Sequence, residues 1–172
     1  MISRRGLIKT LLVMAAAYPR KKAMAAGKSE RFLSLYNIHT KESLETSYYS
    51  SGGYDHGALG KINHLLRCHY TDEVKAIDVR VLDLLCDIKD MWGKGRPVHI
   101  ISGFRSPAYN AYLINNGRRV AGNSFHLCGL AVDFAIPGLR NDEISLVAKS
   151  FVAGGVGKYP EFVHIDVGPV RY

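Results

Sequence analysis

Histidine and aspartate occur together in two otherwise apolar stretches of the sequence. NSFHLCGLAVDF contains His126 and Asp133, and FVHIDV contains His164 and Asp166. An unpaired carboxylate is costly to bury, so Asp133 needs a cation or another partner beside it. Two imidazoles and one carboxylate suit zinc, whose catalytic sites use three protein ligands and leave a fourth position for water. The set His126, Asp133 and His164 therefore predicts a zinc site, although each histidine taken singly could equally be a structural residue.

The hydrophobic pattern around these residues indicates two strands. In the segment 130–136, bulky apolar residues alternate with small ones, and Asp133 falls on the face with the small residues. In FVHIDV, His164 and Asp166 share one face. Each strand can therefore present its polar side chains on the face opposite its apolar residues.

Helices are predicted on either side of these strands in the sequence. An amphipathic pattern follows Asp78, which is a candidate N-cap. A second helix begins at the pair Ser106-Pro107, directly after the strand PVHIIS, so Arg105 lies in the turn between strand and helix. Asn141 is predicted to cap a further helix. Helices packed on a small, mostly antiparallel sheet define an α+β domain.

The first 25 residues have the features of a twin-arginine export signal. They combine an arginine pair, an apolar run too short to span a bilayer comfortably, and a small-residue cleavage pattern ending at Ala25. A retained membrane anchor is the alternative. We therefore expect a signal (1–25) whose removal leaves no membrane span, followed by one domain (26–172). Within that domain we expect an N-terminal arm of short strands or irregular chain (26–60) beside a core (61–172).

The net charge of +8 does not indicate a nucleic-acid partner. Six of the 23 lysines and arginines lie in residues 1–25, which contain no acidic residue. The other 17 basic residues are nearly balanced by 15 acidic ones. The basicity belongs mainly to the N-terminus, so we expect no binding of nucleic acid by the domain.

Three blocks of sequence, in this order, resemble a known group of enzymes. SGFRSP, SFHLCGLAVD and FVHID are similar to motifs of the zinc peptidases that include the VanX-like D-Ala-D-Ala carboxypeptidases. The similarity is closest to the murein endopeptidase K-like family of exported cell-wall enzymes and extends over residues 32–172. The family's S-x-H-x-x-G-x-A-x-D and H-x-D patterns fall on Ser124, His126, Gly129, Ala131 and Asp133, and on His164 and Asp166.

This resemblance implies a hedgehog/D-Ala-D-Ala peptidase-like fold and a periplasmic enzyme that hydrolyses peptidoglycan peptides with a zinc-bound water. It also implies that Arg105 stabilises the developing oxyanion and that Arg105 and Ser124 contact the substrate. A guanidinium held in a tight turn can present several donors to a carbonyl or carboxylate oxygen, which agrees with this role. A surface arginine in a helix-start turn is the alternative.

Two carboxylates compete for the role of general base. In the VanX-like relatives an acidic residue three positions before the last histidine does this work, which implies Glu161. However, KYPEFVH looks shortened relative to the closer family, and residues three apart on a strand face opposite sides unless Pro160 bends the chain. Asp166 shares a face with His164 and could orient that imidazole or accept a proton. We favour Glu161 as the base and Asp166 as the residue that orients His164.

Three functions are compatible with the sequence. The leading hypothesis is a zinc-dependent murein endopeptidase that cuts peptide cross-links. The second is a D-alanyl carboxypeptidase, which would use the same metal ligands. The third is a wall-binding module without activity, and the intact set of His126, Asp133, His164 and Arg105 argues against it.

Overall fold

The computed structural model describes residues 30–171, which form one seven-stranded sheet and four α-helices. The predicted export signal (1–25) lies outside this range. The strands are β1 (Arg31–Asn37), β2 (Ser43–Ser50), β3 (Gly53–Tyr54), β4 (Pro97–Ser102), β5 (Ala131–Ala135), β6 (Val156–Lys158) and β7 (Val163–Asp166). The helices are α1 (His56–Leu65), α2 (Val79–Asp90), α3 (Pro107–Asn115) and α4 (Asn141–Ser150), with a short 3₁₀ helix at Phe125–Cys128. Among these helices, none is long and apolar enough to cross a membrane.

The sheet has the strand order β3-β2-β1-β4-β5-β7-β6. Neighbouring strands are antiparallel except β1 and β4, which run parallel. The prediction of an α+β fold with a mostly antiparallel sheet is confirmed. The strands β5 and β7, which carry three of the four residues named at the outset, are adjacent near one edge.

The N-terminal part of the domain is not an arm. Strand β1 is hydrogen-bonded to β2 on one side and to β4 on the other, and its Leu33 and Leu35 are buried in the core. Residues 31–54 therefore belong to the same sheet as residues 97–166. The prediction missed this because the parallel pairing of β1 with β4 joins segments more than 60 residues apart, as in Leu35 with Val98.

Two predicted helix starts are confirmed and one is corrected. Asp78 caps α2 and Ser106 caps α3, each accepting a hydrogen bond from a backbone N–H of the first turn. Asn141, in contrast, is the first residue of α4, and Arg140 occupies the cap position without a side-chain bond. The Asn141 amide instead donates to the carbonyl oxygens of Tyr159 and Pro160, at 3.2 and 3.0 Å, which attaches α4 to the segment before β7.

We expect replacement of Ser106 with alanine to lower the free energy of unfolding by about 1–2 kcal/mol. The buried Ser106 hydroxyl accepts from the Tyr109 N–H at 3.2 Å and also lies 3.4 Å from the Cys68 sulfur, so its loss leaves both donors unpaired. Urea unfolding would measure the change. The control is Ser150→Ala, an exposed serine for which we expect less than about 0.5 kcal/mol. Equal effects of the two substitutions would contradict the prediction.

Candidate metal centre

The element that carries His126 is the short 3₁₀ helix before β5. Ser124 precedes this helix, and its hydroxyl accepts from the His126 N–H at 3.4 Å. Gly129 ends it in a left-handed conformation (φ 69°), and a Cβ there would overlap the carbonyl oxygen of Ala76. Only glycine combines that backbone conformation with so close an approach. The chain thus turns directly from His126 into β5.

Asp133 and His164 are neighbours across the sheet. They are paired residues of the antiparallel strands β5 and β7, so their side chains project from the same face. The opposite face of β5 contributes Val132 and Phe134 to the core, as the alternation of the sequence predicted. The 3₁₀ helix brings His126 over this pair.

The three predicted ligands converge on one point. Asp133 Oδ1 lies 2.7 Å from His164 Nδ1 and 3.2 Å from His126 Nε2, and the two histidine nitrogens are 3.2 Å apart. Two ligands of a tetrahedral zinc ion, each about 2.0 Å from the metal, are about 3.3 Å apart. The arrangement fits a divalent ion with only small adjustments. Within residues 30–171 this is the one group of three such side chains close enough to share a metal.

The remaining nitrogen of each imidazole is also occupied. His126 Nδ1 lies 2.8 Å from the carbonyl oxygen of Gly103, and His164 Nε2 lies 3.1 Å from Asp166 Oδ2. When these nitrogens carry the hydrogen, they donate to oxygen and leave the other nitrogen of each ring free to bind a metal. Such outer contacts fix the orientation and tautomer of metal-binding histidines.

Asp166 is completely buried and held from several sides. It accepts hydrogen bonds from the backbone N–H groups of Gly155 and Gly168, at 3.1 and 2.9 Å, and from the Arg171 guanidinium at 2.5 Å. A Cβ on Gly155 would meet the Asp166 carboxylate, so the glycine is needed for this approach. The carboxylate therefore has little freedom to move and lies behind His164, away from the three converging atoms.

The pKa values of Asp133 and His164 depend on each other. Burial opposes the ionisation of Asp133, but the neighbouring His126 and His164 hold the pKa of that carboxyl well below its usual range. Burial likewise disfavours a charged His164, yet its hydrogen bonds to Asp133 and Asp166 raise the pKa of the imidazole to about 9. The raised pKa of His164 thus favours a proton on the imidazole opposite Asp133. A bound cation would replace that proton and neutralise the carboxylate in its place.

Arg105 lies beside the predicted ligands and is almost completely buried. Its Nη2 is 3.8 Å from Asp133 Oδ2, and its Nη1 donates to Asn110 Oδ1 at 3.3 Å. The backbone N–H of Arg105 donates to the carbonyl oxygen of His126, which ties the turn after β4 to the 3₁₀ helix. Its buried Nε has no hydrogen-bond partner among the described residues. Arg105 lines the cleft above the predicted ligands, where its guanidinium can donate to a substrate oxygen.

A cleft of about 500 Å³ opens over these residues. Besides the ligands and Arg105, its lining includes Ser124, Arg119, Tyr159, Phe162 and Arg171. The sequence analysis assigned no role to the wall residues Arg119 and Arg171. Arg171 also packs its guanidinium over the Phe125 ring, 4.6 Å from the centroid, next to His126.

Glu161, the predicted base, is not brought into this cleft. It is exposed and lines a separate groove formed with residues 135–142 and 158–160. The Tyr159 N–H donates to the Phe162 carbonyl at 2.9 Å, and the two rings stack with centroids 4.5 Å apart, so the chain makes a tight turn there. The turn directs Tyr159 and Phe162 to the cleft and Glu161 away from it. Asp133 is the one carboxylate among the described residues that line the cleft.

Replacing Asp166 with asparagine should weaken zinc binding by about 10–100-fold. The amide can no longer accept strongly from His164, so the imidazole is less well oriented and less basic. A competition titration with a chromogenic chelator would measure the affinity, and circular dichroism would check the fold. The matched control is Asp142→Asn, an exposed aspartate paired with Lys158, for which the affinity should not change. Unchanged zinc affinity in Asp166→Asn would count against the orienting role.

Two imidazoles, a buried carboxylate and a neighbouring arginine, held on an α+β sheet, are typical of metal-dependent hydrolases. The sequence model of the family described as Peptidoglycan L,D-endopeptidase MepK matches residues 25–172. The chain belongs to this family, which confirms the resemblance drawn from the sequence blocks.

Individual relatives agree with this assignment. The chain is 41% identical over 144 residues to peptidoglycan L,D-endopeptidase MepK of Escherichia coli (strain K12), which covers 83% of this chain and 79% of the relative. It is 34% identical over 152 residues to the probable peptidoglycan L,D-endopeptidase MepK of Haemophilus influenzae, covering 87% of this chain and 82% of the relative. No solved structure matches the chain.

Proposed function

We propose that this protein is a zinc-dependent peptidoglycan endopeptidase that hydrolyses L,D peptide bonds in cross-links. The observation that carries the proposal is the convergence of His126 Nε2, Asp133 Oδ1 and His164 Nδ1 beside the buried Arg105. The relatives are named as L,D-endopeptidases, and we extend that bond preference to this chain. The export signal predicted for residues 1–25 would deliver the enzyme to the periplasm, where peptidoglycan lies.

The residues of the cleft have different roles in hydrolysis. His126, Asp133 and His164 would hold the zinc ion, while Gly103 O and Asp166 fix the two imidazoles. When bound, zinc supplies an activated water by lowering the pKa of that water toward about 7. Arg105 donates to the carbonyl oxygen of the scissile bond as negative charge develops on it.

The charge of the cleft suits a peptide that carries carboxylates. Arg105, Arg119 and Arg171 line it, and Asp133 is the one acidic side chain among its described residues. Peptidoglycan stem peptides carry free carboxylates at D-glutamyl, diamino-acid and terminal residues. Arginine recognises carboxylates through paired donors, so these side chains can align the stem across the metal centre.

Glu161→Gln is expected to retain turnover within about twofold of the unmodified enzyme. Its side chain lines the separate groove, so its charge does not act on the reacting atoms. The rate of cross-link cleavage at saturating zinc would measure the effect, with Asp166→Asn assayed in parallel. A loss of turnover in Glu161→Gln alone, with zinc still bound, would restore Glu161 as the base.

Mass spectrometry of muropeptides tests the function as a whole. Purified sacculi are incubated with the zinc-loaded protein, and we expect cross-linked dimers to become monomers whose masses identify an L,D bond. A chelator should stop the reaction. Removal of a single D-Ala from a synthetic pentapeptide, with dimers intact, would instead indicate the D-alanyl carboxypeptidase. Binding to sacculi without cleavage, with zinc confirmed in the site, would indicate a wall-binding module.

A further inference from the structure

Three tyrosines form a surface cluster that the metal centre does not use. Tyr109 and Tyr112 lie one turn apart on α3, and Tyr70 lies against both. The Tyr70 ring centroid is 4.9 Å from that of Tyr109 and 5.0 Å from that of Tyr112, with interplanar angles of 17° and 24°. We call these three nearly parallel rings the tyrosine cluster.

The tyrosine cluster leaves about half of its two outer rings exposed to solvent. Tyr70 and Tyr112 are 52% and 46% exposed. None of the three tyrosine hydroxyls has a hydrogen-bond partner among residues 30–171. Exposed aromatic rings that present an apolar face and a polar edge are typical of binding surfaces.

One ring of the cluster, that of Tyr109, is anchored to the core. Tyr109 is partly buried against the core and packs edge-on against His69, whose ring stacks on that of His39 at 3.9 Å. The His39 ring in turn lies 3.1 Å from the Ile101 carbonyl in β4. Rings that are already ordered lose little conformational entropy when a ligand stacks on them.

The tyrosine cluster is next to the metal centre. Asn110, which follows Tyr109 on α3, accepts from Arg105, and the cap of α3, Ser106, is the residue after Arg105. The charge of Arg105 also acts on Tyr109 and on His69. A ligand that extends out of the cleft past α3 would therefore meet the cluster.

We propose that the tyrosine cluster binds the sugar rings of the peptidoglycan glycan strand while the attached peptide occupies the cleft. This inference rests on the proposed function. Each stem peptide is joined to a sugar. Three residues of an extended stem peptide span only about 10 Å. A sugar therefore lies near the site whenever a stem peptide is bound there. The C–H faces of pyranose rings pack on aromatic rings, and their hydroxyls can bond to tyrosine hydroxyls. The surface of two half-exposed rings is too small to bind a protein partner stably, because a stable interface buries about 800 Å² on each side.

Binding to sugar alone provides the first test. Peptide-free glycan oligosaccharides, obtained by treating sacculi with an amidase, are titrated calorimetrically into the zinc-loaded protein. We expect Tyr70→Ala/Tyr112→Ala to weaken binding by about tenfold or more, and Tyr70→Phe, which keeps the ring, to weaken it far less. Phe151→Ala, at a 37% exposed aromatic beyond α4, is the matched control and should bind like the unmodified protein. Absence of binding by the unmodified protein, or equal binding by the double variant, would overturn the proposal.

Kinetic measurements distinguish glycan binding by the tyrosine cluster from the proposed endopeptidase activity. The double variant should show about a tenfold higher KM for dimers that carry disaccharides, with an unchanged kcat and an unchanged KM for the same dimers without sugar. Equal KM changes on both substrates would mean that the tyrosines act on the peptide, which would overturn the glycan role. If the unmodified protein cleaves neither substrate, the proposed function fails, while the calorimetric test still decides whether the cluster binds glycan.

Discussion

Removal of the Asp133 carboxylate should abolish both zinc binding and hydrolysis. Asp133 Oδ1 is within 3.2 Å of both histidine nitrogens, so its loss leaves two imidazoles without the anion that holds them together. Asp133→Ala also leaves the buried Arg105 guanidinium without the carboxylate beside it, and leaves His164 with Asp166 as its remaining acidic partner. We expect the rate of cross-link cleavage to fall by about 1000-fold or more.

The isosteric variant Asp133→Asn distinguishes chemistry from folding. It keeps the volume of the side chain, so its fold should persist while zinc content, measured by elemental analysis after gel filtration, falls well below one ion per chain. Asp142→Asn provides the control, because that exposed aspartate is not among the residues that line the cleft, so this variant should retain zinc and activity. Full zinc occupancy with normal turnover in Asp133→Asn would refute the ligand assignment.

Replacing Arg105 with lysine should lower kcat by about 100-fold or more while zinc remains bound. Lysine keeps the charge but not the fork of donors, and its single ammonium cannot both contact Asn110 and reach a substrate oxygen. An arginine that aligns the ground-state substrate would change KM, whereas one that stabilises the developing oxyanion changes kcat.

The neighbouring Arg119 offers the matched comparison for Arg105. It lines the same cleft but is exposed, so Arg119→Lys should change KM by a few-fold at most and leave kcat unchanged. Zinc content and thermal unfolding of both variants would exclude loss of the metal or of the fold. Equal kcat values for Arg105→Lys and the unmodified enzyme would remove Arg105 from the oxyanion role.

The sequence singled out His126, Asp133 and His164, which the structure brings together, because their signals are local. Asp133 stands out as a carboxylate within an alternating strand, and His164 shares a face with Asp166 two residues later. The helix starts at Asp78 and Ser106 were equally accessible, since a cap is determined by a residue and the next few N–H groups. These predictions could be made without knowing which distant residues of the chain lie nearby in the fold.

The features that the sequence did not predict depend on distant parts of the chain. The place of β1 inside the sheet requires β4, and the amide of Asn141 is bound by carbonyls 18 and 19 residues away instead of capping its own helix. Glu161 was selected by its distance in sequence from His164, but the turn at residues 159–162 directs it outward. The arginines of the cleft wall, Arg119 and Arg171, come from loops whose course is determined by tertiary packing, which no local pattern encodes.

The wide separation of the three ligands along the chain bears on which metal the protein acquires. His126 and His164 are 38 residues apart and meet only when β5 pairs with β7, so the unfolded chain has no selective site. Nitrogen and oxygen ligands of this kind bind copper(II) more tightly than zinc, in keeping with the Irving–Williams order. The identity of a metal bound there would therefore depend on the supply in the compartment where the sheet closes.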